Sequence, residues 1–479
     1  MATDTNVAEL MQVQMGVDKI PDARYQALLN SNEPPMDSKY PFVQSVLLSQ
    51  RNRLAQHDDS VSEPQGHAQG RESVVESVAR HAAILSPVRR MPSEILCEIF
   101  SSTLLPDWQL LDRGRIDLQD SPWSLSHTCS RWREIALGLP SLWSFIAIDC
   151  DILDNPLAAY PLGLLRVQLE RASQLRIHFD ASHSHSSHQI ALLELLVEYS
   201  SLWVDANLTL LSELLPVIAA LRNRVPLLRG LWLKWGKPNQ VYRQPLPVTA
   251  IDCFEDAPSL RSVSSLLEAY PRVSLPAHQL TRYQLNGTWQ THVDILRAAP
   301  NLVEARVHLV EDYSAHTVSG GVIELPSLRL LCTSHSDILN SLKLPALREL
   351  GLIITSDRET SLQIAEMVMR SSCTLRELWA VGLSGEMVLT ILRKNQGIER
   401  FVNIATDSAD GATDIISALS ARDASGTFTL GPQLQSVFFA LEHSPIDYDL
   451  YIDMLSARWT GVYTRTVGVG LDQSHHQYT

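Results

Sequence analysis

The sequence predicts an α+β chain in which N-terminal helices and a three-helix module precede a repeating α/β solenoid. Two observations predict the class. Before about residue 145, apolar side chains recur at helical spacing. After about residue 160, a short phrase of Pro, Leu and an alternating stretch keeps returning. A third observation concerns the module alone: Ile84 to Trp143 carries more apolar surface than three short helices can hide, which marks an attachment site.

Length and charge set the bounds. At ~100–200 residues per domain, a chain of 479 residues holds two to four units. With 39 basic against 53 acidic residues the formal charge is −14, which argues against phosphate-backbone binding. The start, Met1-Ala2-Thr3-Asp4-Thr5-Asn6, has neither a basic nor an apolar signal region, so a secreted protein is not expected. The richest apolar stretch, 191–221, is broken by Glu194, Glu198, Asp205 and Glu213, so no membrane span is expected. Cys97, Cys129, Cys150, Cys253, Cys332 and Cys373 stand singly, the pattern of reduced intracellular thiols rather than a disulfide or zinc framework. The expected location is cytoplasm, nucleus or both.

The elements follow in order. Residues 1–40 are polar and expected to be largely disordered, with one short helix around Val7 to Met15. Residues 41–83 form a helical lead, a broken helix or short hairpin. Phe42, Val46, Leu47 and Leu54 supply its first apolar face, and Val74, Val75, Val78 and Ala82 its second. Residues 84–148 are the module. Pro92 suits a first helical turn, where its missing donor costs nothing. Ile95 with Ile99, and Leu96 with Phe100, then make a wide apolar face on one short helix. Ser121-Pro122 reads as an N-cap and first turn, and Leu125, Cys129, Trp132 and Ala136 fall on one stripe of a helix that Pro140 ends. A loop from Pro106 to Asp120 separates the two helices.

Residues 160–471 are expected to be the solenoid, and 472–479 a polar tail. The phrase appears as Pro226-Leu227-Leu228-Arg229, Pro258-Ser259-Leu260-Arg261 and Pro300-Asn301-Leu302. It returns as Pro326-Ser327-Leu328-Arg329, Pro345-Ala346-Leu347-Arg348, Thr374-Leu375-Arg376 and Pro432-Gln433-Leu434. Steps between marker leucines are 26 (302 to 328), 19 (328 to 347) and 28 (347 to 375). Such steps, one strand each with amphipathic runs between, fit an irregular leucine-rich-repeat-like solenoid.

The module resembles an F-box, in the form found in a fungal, basidiomycete-type branch of that family. The resemblance rests on Met91-Pro92, Glu94, Ile99-Phe100 and Cys129-x-x-Trp132, with Met91 where Leu is usual. Pro140-x-x-Trp143, Ser31-Asn32-Glu33-Pro34-Pro35 and Leu85-Ser86-Pro87-Val88-Arg89-Arg90 add to it, and it covers about residues 29–150. Ser201-Leu202-Trp203 and Ser456-Ala457-Arg458-Trp459 are weaker echoes. The resemblance implies a non-catalytic substrate receptor of a Skp–cullin–F-box ubiquitin ligase. The module would dock on the Skp-family adaptor, and through it cullin, by Met91, Pro92, Glu94, Ile95, Leu96, Ile99, Phe100 and Trp132 or their immediate support. The repeats would hold a protein substrate. The alternative is a non-ligase repeat scaffold whose helical module caps the solenoid.

Other motifs carry less. His183, His185 and His188 lie in a Ser/His-rich run that reads as a polar loop, because metal binding needs ligands held in tetrahedral geometry. Gly382-Leu383-Ser384-Gly385-Glu386 resembles a nucleophile elbow but has Glu where Gly is required, so it reads as a strand-to-helix turn. No phosphate loop of the Gly-x-x-x-x-Gly-Lys type occurs. No metal, cofactor, nucleic acid, membrane or catalytic activity is expected. Trp232, Trp235 and Trp379 are core residues or, if exposed on a strand face, recognition anchors.

Overall fold

A computed structural model describes residues 23–59, 67–104, 116–150, 160–181, 187–235, 250–266, 272–309, 321–353, 360–405, 409–441 and 447–458. The short helix expected around Val7 to Met15, the tail and most of the 106–120 loop fall outside these residues. Helices and a large parallel sheet make the chain mixed in class. Among the described residues no helix is long and apolar enough to cross a membrane. The chain divides into two compact units: Met1–Ala147 with Ala159–Leu175, and Ile148–Ala158 with Arg176–Thr479.

The first unit is helical. It holds α1 (Ala23–Asn30), α2 (Tyr40–Asp59), α3 (His67–Ile84), α4 (Pro87–Arg90), α5 (Ser93–Ser102), α6 (Trp123–Thr128) and α7 (Ser130–Leu137). β1 (Phe145–Asp149) leads into the second unit, and α8 (Leu162–Arg171) belongs again to the first.

The expectation that residues 1–40 are largely disordered changes over the helix Ala23–Asn30, while residues 1–22 lie outside the described residues. α1 buries Leu28 in a small cluster with Val43 and Ile84. The Leu28 carbonyl also accepts a hydrogen bond from the buried Arg89 guanidinium at 2.8 Å. Tyr25, Leu28, Leu29 and one carbonyl do this work, too few residues for composition to reveal it. α2 and α3 pack on each other as a hairpin. The buried face of α2 is Val43, Val46 and Leu47, while Phe42 is exposed and meets Tyr25 edge-on at 5.4 Å.

Three expectations about the module also change. Pro92 stands immediately before α5, as its N-cap, rather than in its first turn. The single helix expected through Leu125 and Ala136 is two helices. Cys129 between them is extended (φ −160°, ψ 170°), and its Sγ accepts the Trp132 N–H at 3.4 Å. Ser121 is no N-cap; α6 starts at Trp123 after Pro122 without a side-chain cap. The stripe still faces one way because both helices bury their apolar side. Trp143 is fully buried, donates Nε1–H to the Ala136 carbonyl at 2.9 Å and meets Trp123 edge-on at 5.1 Å. The Arg171 guanidinium of α8 lies 4.4 Å from the Trp143 ring centre and 5.4 Å from that of Trp123. This cation–π stack gives a physical reason why α8 joins the first unit, although the sequence places the solenoid from 160.

The second unit contains β2 (Leu175–Asp180), β3 (Trp203–Leu210), β4 (Gly230–Trp235), β5 (Ala250–Ile251), β6 (Ser262–Leu266), β7 (Arg272–Val273), β8 (Arg282–Gly287) and β9 (Glu304–Leu309). It continues with β10 (Ile323–Glu324), β11 (Leu330–Thr333), β12 (Leu342–Lys343), β13 (Glu349–Ile353), β14 (Glu377–Val381), β15 (Arg400–Ala405) and β16 (Ser436–Leu441). Its helices are α9 (Ser187–Glu198), α10 (Leu215–Ile218), α11 (Trp289–Ala298), α12 (Thr360–Ser371), α13 (Gly385–Lys394), α14 (Ala409–Ser420) and α15 (Tyr448–Arg458). β5 pairs with β7 and β10 with β12; the others form one sheet in the order β2-β3-β4-β6-β8-β9-β11-β13-β14-β15-β16.

The recurring phrase explains this sheet. Leu228, Leu260, Leu302, Leu328, Leu347 and Leu375 are each at most 2% exposed. The residue after each begins a parallel step. Its carbonyl accepts two amides of the next strand: Arg261 and Ser262 donate to Arg229 O, and Thr281 and Arg282 to Arg261 O. The pattern continues without a break through Thr281, Val303, Arg329, Arg348, Arg376 and Glu399. It fixes the register Gly230–Ser262–Arg282–Glu304–Leu330–Glu349–Glu377–Arg400 across the sheet.

Candidate functional site

In the first unit the candidate surface centres on α5. Its period splits the helix cleanly. Leu96 and Phe100 are 1% and 0% exposed, while Ile95 and Ile99, one turn apart on the other side, are 49% and 41% exposed. Phe100 packs against Trp132 with ring centres 5.0 Å apart, so Leu96, Phe100 and the half-buried Trp132 support the surface from beneath. Pro92 and Glu94 are exposed and Met91 is half-buried. The Arg131 guanidinium pins the connection before α5 by donating to the Arg89 carbonyl at 2.8 Å and to the Met91 carbonyl. Burial lowers the Arg89 pKa, with Cys129 acting the other way. Val88, 40% exposed, adds apolar surface that the sequence did not single out.

In the second unit the candidate surface is the sheet face whose residues alternate with the core. Leu231, Val263, Tyr283, Ala305, Leu350, Leu378 and Phe401 point into the core. Trp232 and Trp379 fall on the opposite, half-exposed row, and Trp379 donates Nε1–H to Glu377 at 2.5 Å. The Trp235 side chain lies outside the description. The first row of that face pairs its own charges: Arg282 with Glu304 at 3.3 Å, and Arg400 with Glu377 and, at 3.9 Å, Glu349. Burial raises the Glu349 pKa, with Glu377 adding to it. The residues just before the strands, Arg229, Arg261, Arg329 and Arg348, are exposed. Their signal was present as the repeated Leu-Arg pair, but only the register shows that they share one edge.

A buried polar pair sits behind β8. The His292 Nε2 lies 3.3 Å from the His308 carbonyl, which only accepts, so Nε2 carries the proton. Nδ1 therefore accepts from the Tyr283 hydroxyl at 2.9 Å. Burial pushes the His292 pKa down to about 4 and raises that of Tyr283.

The remaining motifs resolve simply. Gly382 (φ 71°) turns the chain after β14, and Ser384 caps α13 by accepting the Met387 N–H at 3.4 Å. Among the described residues no group of three or more His, Cys, Asp or Glu is placed to hold a metal ion. His183 and His185 lie outside those residues, and His188 stands at the start of α9. Neither a scan against protein-family models nor a search of curated proteins finds a match to this chain.

Proposed function

We propose that the chain is a substrate receptor of a Skp–cullin–F-box ubiquitin ligase, with an F-box-like first unit and a leucine-rich-repeat-like second unit. The observation that carries this reading is the exposed pair Ile95 and Ile99 on a helix whose opposite side is fully packed. A helix placed as a cap would turn that pair inward. An adaptor helix laid over it would instead bury both side chains, and Val88 extends the apolar area. The second unit offers a broad strand face for cargo. Ubiquitin transfer would occur on the partner enzyme, with this chain acting by proximity.

The test is co-purification of the full chain with a Skp-family adaptor. Both side chains are already about half-buried, so covering what remains contributes about 1.5–3 kcal/mol, and Ile95→Asp with Ile99→Asp should weaken the complex by ~10-fold or more. Thermal unfolding of the variant should stay unchanged, because neither side chain is in the core. Retention of the adaptor by the double variant overturns the reading.

A further inference from the structure

We infer that the strand-start edge of the second unit binds an acidic, extended protein segment laid across the strands. As a statement about cargo this rests on the receptor reading, but the binding itself does not require the adaptor. The edge is a single register row that holds Arg229, Arg261, Arg329, Arg348 and Arg376, all exposed, in a chain whose net charge is −14. Arg376 is tied to Glu399. Arg229, Arg329 and Arg348 have no acidic partner among the described residues. Arg261 donates through Nη1 to the carbonyls of Pro258 (3.3 Å) and Leu260 (3.0 Å), neutral acceptors that do not cancel its charge. Glu304, Glu349 and Glu377 in the next row are already held by Arg282 and Arg400. Cationic charge is therefore in surplus along this edge.

The edge is also indented. A depression of about 450 Å³ lies over Arg229, Arg261, Arg282 and Thr281. It exists because Gly230 and Ser262 occupy successive row positions with almost no side chain. At Gly230 a Cβ would come 2.4 Å from Asp205 Oδ1, so a larger residue there would displace the exposed Asp205 side chain. Asp205 and Glu304 also line the depression, which leaves Arg229 and Arg261 as the attractive centre for a carboxylate.

The spacing suits a peptide. From β4 to β13 the sheet takes five strand steps of ~4.8 Å, about 24 Å, which about seven residues of extended chain cover. Arg229 with Arg261, and Arg329 with Arg348, start neighbouring strands ~4.8 Å apart, a separation that the flexible side chains of carboxylates two residues apart (~6.8 Å) can match. A continuous phosphate backbone is disfavoured by the net charge of −14 on the whole chain, which a short peptide confined to this edge avoids.

The test uses fluorescence anisotropy with the intact chain and a labelled ten-residue peptide of alternating Glu and Ser. A Lys/Ser peptide and an oligothymidylate of equal length serve as comparisons. The Glu/Ser peptide should bind, more weakly as salt rises. Arg261→Glu with Arg348→Glu should reduce its affinity at least 10-fold, whereas Arg393→Glu on α13 should leave it unchanged. Tighter binding of the oligonucleotide, or binding only when the serines are phosphorylated, overturns the carboxylate assignment. Peptide binding lost in wild type while adaptor co-purification persists overturns this inference alone. Adaptor binding lost while the peptide still binds overturns the receptor reading alone.

Discussion

Acidification should destabilise the protein partly through one histidine, and the amount can be worked out. His292 is fully buried, with a folded-state pKa near 4 against 6.5 for the free side chain. Because the folded value is depressed, the unfolded chain binds the extra proton first. Stability therefore rises with pH between about 4 and 6.5 and falls as pH drops through that window. Going from pH 7 to pH 5, linkage gives a loss of about 2 kcal/mol from this residue. The cause is burial: the ring is fully enclosed, so an imidazolium there would lose its hydration, and the neighbouring His308 adds to the cost of a charge. Urea midpoints at pH 7 and pH 5 for wild type and His292→Gln provide the assay. The variant should lose about 2 kcal/mol less than wild type over that range. His178, also pushed down to about 4 by burial, is present in both proteins and cancels in the comparison. Equal losses in the two proteins would falsify the buried, neutral assignment.

Four further outcomes are expected. Gly385→Ala puts a Cβ 2.7 Å from the Gly411 carbonyl oxygen and 2.8 Å from its Cα, so α13 and α14 must separate, at a cost of about 1–3 kcal/mol in denaturant midpoint. Gly411→Ala meets only Gly385 N at 3.2 Å and Cα at 3.4 Å, so it should stay within about 1 kcal/mol of wild type. Phe100→Ala should cost about 3–5 kcal/mol, yet Ile99→Ala beside it less than about 1 kcal/mol, and equal effects would contradict the split of α5. Arg171→Met removes the guanidinium from the Trp123 and Trp143 faces and should shift tryptophan fluorescence while destabilising the first unit by about 1–2 kcal/mol.

Much of the sheet was legible because its markers are side chains that must be buried. Each Pro-x-Leu phrase puts its leucine in the core and starts a strand two residues later. Of the strands that no such phrase announces, two were hidden for a local reason. β8 follows Leu280, which a 3-10 turn separates from Pro276, and β15 follows Ile398, which does the same work without being leucine. The face of α5 was legible from its spacing, although which half would be buried was not, because Ile95 and Leu96 are equally apolar. The break at Cys129 was not legible: the stripe continues through it, and only the backbone shows the interruption. The assignment of α8 turned on Arg171 over two indoles, a contact that no periodicity encodes.

The carbonyl that serves two amides at each strand start has a consequence for how this chain tolerates change. Alignment between neighbouring strands is set at that one corner, so the stretches that return from helix to strand carry no responsibility for it. Their lengths are free to drift, as the uneven marker spacing already shows, while every side chain on the sheet keeps its side. Residues added in those returns would lengthen the rim without turning the sheet's two sides over. A single residue added after Leu328 or Leu347 would exchange core for surface along the whole strand that follows.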